Sequence, residues 1–482
     1  MVSGDYITLT TESSSTAAEY YQLKLFCSDG TDSPSYGSED SFSSNAEFNS
    51  TYSVISLSAA AQNTVFYPSD SEIASLKANG LIIQGYGVKL TKVTARINAL
   101  LDETDGTRIS SSLIDSSATA NTKRVFNFLK GIYGEKMLSG VMDCTWNSDV
   151  DMDAKVYSDT GKHTALMGFD FIELTKSDSK TWYNPDQVEE AIDWWNNGGL
   201  VTFCWHWLDP SADSALSTSY DPTKTGFRIP YDEDADALDE TSDNFAYIKK
   251  DLDTVASCLS ELQDEGVTVI WRPLHEAKGN CGLYSNTGSA WFWWGAGNSC
   301  TENTDEDGNV TYTVSTDEDL CAKSYLALWK YMYTYFTETK ELHNLIWLWN
   351  GQGEKWYPGD DYVDIAGYDV YDDSNAHGAA LSYYNDLVEW SNSSKMTTIS
   401  ECGYIPSTEA IQDSAAKWLY YMVWNDDDDL ADDKEDDNDN YWGGTAYNST
   451  QDKTKNSMDT DFVLNRDSSE LTELFKEMGV IE

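Results

Sequence analysis

The sequence predicts an α/β protein: a (β/α)8 TIM barrel preceded by a small β-sandwich. Two observations carry the barrel. Eight apolar, strand-like runs recur between about residue 136 and residue 424, with helical stretches between them. These runs also lack polar alternation, as expected of a parallel sheet covered on both faces. A third observation carries the sandwich: the first hundred residues hold short pieces rich in Thr, Val, Ile and Tyr, cut by polar turn clusters.

Residues 1–102 contain YYQLKLF, YSVISLS and VKLTKVTARI, separated by turns such as SDGTDSPSYGSED. One helical piece, SDSEIASLKANG, closes on Gly80 at a C′ position. Residues 103–120 are polar and rich in Ser and Thr, and read as a linker. Residues 121–482 are assigned to the barrel. Its strands are expected in KMLSGVMDC, ALMGFDFIEL, LVTFCWHW, VTVIWRPLHE, LIWLWN, YVDIAGYDVY, TTISECG and WLYYMVW. DQVEEAIDWWNNGG and FAYIKKDLDTVASCLSELQDEG are helical, the second closing on Gly266. NDDDDLADDKEDDNDN, residues 425–440, reads as a solvated acidic loop, and it has no defined calcium-ligand spacing.

Charge narrows the partners. The 482 residues hold 31 Lys and Arg against 82 Asp and Glu, a formal net charge of -51. That field repels phosphate, anionic lipid and acidic polysaccharide, so a neutral substrate is expected and nucleic acid is not. No run reaches the length of a membrane span and MVSGDYITLT has no apolar signal core, so no membrane partner is expected. An extracellular protein is the expectation, with any signal peptide outside this sequence. The 18 Trp and 30 Tyr fit a large aromatic core as well as stacking on flat sugar faces. Eight cysteines include no CxxC pair, so a zinc ribbon has no support and no metal is expected. Cys281 and Cys300 could staple a loop, whereas Cys204 and Cys402 read as buried thiols. GxSxG, GxGxxG and P-loop patterns are missing, so neither a serine hydrolase nor a nucleotide or other cofactor is expected.

Barrel chemistry gathers at the C-terminal strand ends. The fourth run ends on His275 and Glu276, the seventh on Ser400 and Glu401, the third near His206, the sixth on Asp369 and Tyr371. Strand alternation puts Thr202, Cys204 and His206 on one face, and Arg272 and Glu276 on one face. Taken singly, Glu276 reads as an ion-pair partner of Arg272, Glu401 as a loop carboxylate, and His206 fits either a core histidine or a site residue. Two glutamates at opposite strand ends make a different pattern. A retaining glycosidase needs one carboxyl to protonate the leaving oxygen and a second, about 5–5.5 Å away, to attack the anomeric carbon.

RPLHE, WFWWG, GYDVY and ISECG, in that order and at these strand positions, resemble glycoside hydrolase family 26, over roughly residues 120–480. That family consists mostly of endo-β-1,4-mannanases built on a barrel with glutamates on strands four and seven. The resemblance implies hydrolysis of a neutral plant polysaccharide such as mannan, galactomannan or glucomannan, without a cofactor, by a monomer. β-1,3-1,4-Glucan and β-1,3-xylan are the alternatives within the family, and a non-catalytic sugar-binding barrel, which the presence of both glutamates argues against, is the alternative outside it. It also implies roles: Glu276 as acid/base, Glu401 as nucleophile, and His206, His275, Trp291, Tyr371 and Trp424 as substrate-binding residues. His275 stands where most of the clan has Asn. Two features depart from the pattern: CGLYSNTGSA, Cys281 to Ala290, separates HE from WFWWG, and the first strand reads LSGVMD rather than ending in an SGQ-type motif. SLKANGLIIQGYGVKLTKV is similar to small β-sandwich modules found beside bacterial polysaccharidases.

Overall fold

The computed structural model describes residues 6–13, 21–27, 52–57, 62–66, 81–96, 109–144, 151–177, 186–279, 290–371, 377–424 and 457–481. The chain forms two compact units, Met1–Gly106 and Thr107–Glu482. The predicted helix closing on Gly80, the acidic run 425–440, Cys281 and all of the CGLYSNTGSA insertion except Ala290 lie outside the described residues.

In the first unit, the described strands form two three-stranded antiparallel sheets. One orders Gln62–Phe66, Tyr6–Ser13 and Val88–Arg96; the other orders Tyr52–Leu57, Tyr21–Cys27 and Leu81–Tyr86. Leu9 faces Val93 on one neighbour and Thr64 on the other, and is fully buried.

The second unit is a closed parallel barrel. Its eight strands are Met137–Met142 (broken at Ser139), Leu166–Asp170, Leu200–Cys204, Val269–Arg272, Leu345–Trp349, Ile365–Val370, Met396–Cys402 and Trp418–Val423. Each pairs in parallel with the next, and Val423 pairs with Val141 to close the ring. All eight coincide with the predicted runs. Every residue of the second, third, fifth and eighth strands is buried, which is why these strands show no polar alternation.

Helices cover the outside. Asp243–Asp264 starts where the Ser242 hydroxyl accepts from the Phe245 N–H and ends at Gly266, whose φ of 76° terminates it as predicted. Between the fifth and sixth strands, the chain makes only the short turns Glu354–Trp356 and Asp360–Tyr362 instead of an α-helix. The alternation is therefore incomplete there. Within residues 103–120, the stretch from Ser110 to Asp115 bonds to the barrel. Ser110 N–H donates to Ser394 O, Ile114 N–H to Asp364 Oδ1, and Asp115 pairs with His343 at 2.8 Å. Backbone N–H groups and the Asp115 carboxylate there bind barrel groups. Much of the tryptophan content is core: eleven of the eighteen are among the fully buried side chains.

Candidate active site

The fourth strand stops at Arg272, earlier than predicted, and His275 and Glu276 sit on the turn after it. That turn is strained. Leu274 and Glu276 have φ of 52° and 46°, costing on the order of 1–3 kcal/mol each. Neighbours over-determine it. Glu276 N–H donates to Asn350 O and Lys278 N–H to Gly351 O, while Trp294 Nε1–H donates to His275 O at 2.9 Å. Gly295, the last residue of WFWWG, lies so close that a Cβ there would stand 2.1 Å from Ala277 O. WFWWG is thus chiefly a brace for the turn. Phe292, Trp293 and Trp294 are buried, and Trp291 alone is accessible, at 40%.

Arg272 does not pair with Glu276. Its Nη2 donates to Glu401 Oε1 at 2.5 Å and its Nη1 to Asp369 Oδ2 at 3.4 Å. The face-sharing of alternate residues fails past the strand end because the left-handed residues redirect Glu276. Glu401 lies on the seventh strand itself, and its Oε2 accepts from the Tyr371 hydroxyl at 2.7 Å. Asp369 accepts from Ser400 Oγ and Asn350 Nδ2, both at 2.7 Å. One oxygen each of Glu276, Asp369 and Glu401 lies within 4.8 Å of the others. Three carboxylates this close have the donor chemistry of a cation site, but the Arg272 guanidinium already supplies the positive charge.

The two glutamates differ in surroundings. Glu276 accepts a long 3.3 Å bond from Gln352 Nε2, and no cation among the described residues pairs with it directly. Burial first, then the Asp369 and Glu401 charges, push its pKa well above the ordinary glutamate value, and Arg272 offsets this only partly. Asp369 is pushed up to about 7 by burial and by Glu401. Glu401 instead receives a guanidinium and a phenol, both donors. A carboxyl favoured in its protonated form by burial thus faces one bound by two donors, the difference in surroundings that acid and nucleophile roles require.

That protonation predicts a measurable cost. A carboxyl whose pKa rises on folding weakens the fold as pH climbs from the unfolded carboxyl range toward its folded value. Glu276→Gln keeps an oxygen for Gln352 and loses the charge. Its melting temperature should exceed wild type by roughly a few °C at pH 8, with the gap closing near pH 4. Calorimetry at both pH values checks this; a gap independent of pH would contradict a protonation origin.

The predicted substrate-binding residues converge. His206 and His275 meet Nε2 to Nε2 at 3.1 Å, and the Trp424 ring stands edge-on to His206 with centroids 5.5 Å apart. Trp291 packs beside Gly279, three residues after Glu276. Cys204 and Cys402 are buried thiols, as expected. Asp170, Asn350, Gln352 and Phe292 were not singled out from sequence. Asp170 had one available signal, its position at the C-terminal end of the second strand.

The model of glycosyl hydrolase family 26 matches residues 114–445. The chain belongs to that family. It is similar to the protein named mannan endo-1,4-beta-mannosidase from Thermothelomyces thermophilus, with 34% identity over 322 residues, 66% of this chain and 58% of that relative. The chain spans about half the length of the curated relatives it matches. Among solved structures it resembles a β-mannanase from a symbiotic protist of the termite Reticulitermes speratus, complexed with gluco-manno-oligosaccharide. There the identity is 28% and the TM-score 0.57, covering 75% of this chain and 98% of that one. A GH26-CBM35 β-(1,4)-mannanase from Podospora anserina shares the fold at 23% identity and a TM-score of 0.59, covering 98% of this chain and 89% of that one. Among the described residues, no helix is long and apolar enough to cross a membrane.

Proposed function

We propose that the protein is a retaining endo-β-1,4-mannanase that cuts mannan-type hemicellulose by double displacement. The observation that supports this most is the pair Glu276 and Glu401, with oxygens within 4.8 Å of each other in unlike surroundings. An inverting enzyme would hold its carboxyls about 6.5–9.5 Å apart to admit water between nucleophile and anomeric carbon. Glu276 is the acid/base and Glu401 the nucleophile. Arg272 and Tyr371 both donate to Glu401 and hold it in place. His206, His275 and Trp424 border the sugar being cleaved, and Trp291 offers a platform beside it. The family and the names of its relatives support mannan as the polymer. A polymer too large to enter a cell supports an extracellular site of action, and no second subunit is required by the site.

The test is reducing-end release on mannan, galactomannan, glucomannan, lichenan and β-1,3-xylan, with NMR of early products. Mannan-type polymers should be cut fastest and the β-anomer should appear first, with transglycosylation at high substrate concentration. An α-anomer appearing first would overturn the retaining mechanism. Preference for lichenan or xylan would move the substrate.

Residues 1–102 are proposed as an accessory carbohydrate-binding module. Support comes from the two antiparallel sheets and from a shared fold that extends along 98% of the chain to a GH26-CBM35 protein. Deleting them should leave kcat/KM on soluble oligosaccharides within about twofold and weaken binding to insoluble mannan. Oligosaccharide activity lost in a folded truncation would contradict the accessory role.

A further inference from the structure

Asp170 ends the second barrel strand, fully buried, and neither glutamate role accounts for it. Its Oδ1 accepts from the His206 backbone N–H at 3.0 Å, and its Oδ2 meets His206 Nδ1 at 2.5 Å. A carboxylate is only an acceptor, so His206 Nδ1 carries a proton. The far nitrogen of His206 meets His275 Nε2, where one ring must donate and the other accept. His275 Nδ1 is buried and has no partner among the described residues. The line Asp170–His206–His275 therefore ends on a buried, unpartnered nitrogen in the residue next to Glu276.

We propose that Asp170 is a positioning residue: its carboxylate makes His206 the proton-bearing ring of the pair, which leaves His275, the neighbour of Glu276, neutral with its own proton on Nδ1. Groups from every neighbouring element bear on this. Burial opposes charge on His206, but Asp170 outweighs it, aided by Glu401 on the seventh strand and opposed by Arg272 on the fourth, so His206 titrates above its ordinary value. Burial, the charge on His206 and Arg272 hold His275 well below its own. Tyr220 and Phe292 close the remaining side with rings 5.8 and 5.6 Å away, and Cys204 lies beneath as a protonated thiol. The same logic orients histidines elsewhere: the group bonded to one ring nitrogen decides what the other can do.

This inference rests on the catalytic reading above, and its test separates the two. In the full chain with isotopically labelled histidine, NMR should show His206 protonated on both nitrogens at pH 7 and His275 neutral with its proton on Nδ1. His206→Gln assigns the signals. In Asp170→Asn, His206 should be neutral at pH 7. kcat should fall about tenfold or more with KM changed less, and the loss should be larger at pH 8 than at pH 5.5. An equal loss at every pH with an unchanged His206 titration would reduce Asp170 to a structural role. If Asp170→Asn does not fold, the wild-type spectrum decides: a neutral His206 at pH 7 overturns the proposal. The NMR arm does not depend on what the glutamates do, so a failure of the glutamate roles would leave it standing.

Discussion

Glu401→Ala is expected to lower kcat by roughly 10⁴–10⁶-fold, the range seen when a covalent catalyst is deleted. The size follows from what is lost. Without Glu401 no described group stands in its place to form the glycosyl-enzyme, and Asp369 cannot deputise. Both of its oxygens are engaged, one by Ser400 and the other by Asn350 and Arg272. The fold should survive. Arg272 is buried, and stranding a buried cation costs about 3–5 kcal/mol, but Asp369 remains as its second partner.

Chemical rescue gives that variant its sharpest readout. The truncated side chain leaves a small space bordered by the Arg272 guanidinium and the Tyr371 hydroxyl, both donors. An azide anion suits it. Attack by azide on an activated aryl β-mannoside displaces the aryl oxide from the opposite face, giving an α-mannosyl azide. Restored turnover with that inverted product supports Glu401 as the nucleophile. Near-wild-type activity without azide, or a β-configured product with it, would refute the assignment.

The sequence disclosed the barrel and the two glutamates for different reasons. Parallel strands buried on both faces must be apolar throughout, so runs such as LIWLW declare themselves without any knowledge of their neighbours. Glu401 was legible because it ends an apolar run at the mouth of the barrel, even though the strand register shifts beside it. Glu276 was legible as a residue, but its partner was not. Arg272 turns to Glu401 and Asp369 because Leu274 and Glu276 adopt left-handed backbone, and non-glycine residues give no sequence sign of that. The missing helix between the fifth and sixth strands escaped for a similar reason. GQGEKWYPGDD links the two strands, and its 3-10 turns suffice because Asp364 accepts from the Trp347 N–H and ties the start of the sixth strand to the fifth. The aromatic cluster was half legible. Stacking between Phe292 and Trp294, 4.3 Å apart and nearly parallel, serves the brace, and only Trp291 keeps the exposure that a sugar platform needs.

Glu276→Ala should separate substrates by leaving group. The first displacement needs a proton on the departing oxygen in proportion to that oxygen's basicity. A sugar alkoxide leaves poorly, so polymer hydrolysis should fall by roughly 10³–10⁴-fold. A dinitrophenolate leaves without help, so the first step on dinitrophenyl β-mannoside should stay within about tenfold of wild type. The second displacement then becomes slow, because the same carboxylate must take a proton from the attacking water. The aryl substrate should therefore show a burst of phenolate as the glycosyl-enzyme accumulates on Glu401, visible as a mass increase of one mannosyl unit. Added azide needs no general base, so it should speed this second step and give a β-mannosyl azide, opposite in configuration to the product from Glu401→Ala. The pH profile should change as well. Burial and the neighbouring carboxylates keep Glu276 protonated above the ordinary glutamate range, and in wild type its loss of that proton sets the upper limb of kcat/KM. In Glu276→Ala with the aryl substrate, that limb should vanish. Equal losses on polymer and aryl substrate, with the limb intact, would show that the proton comes from another group.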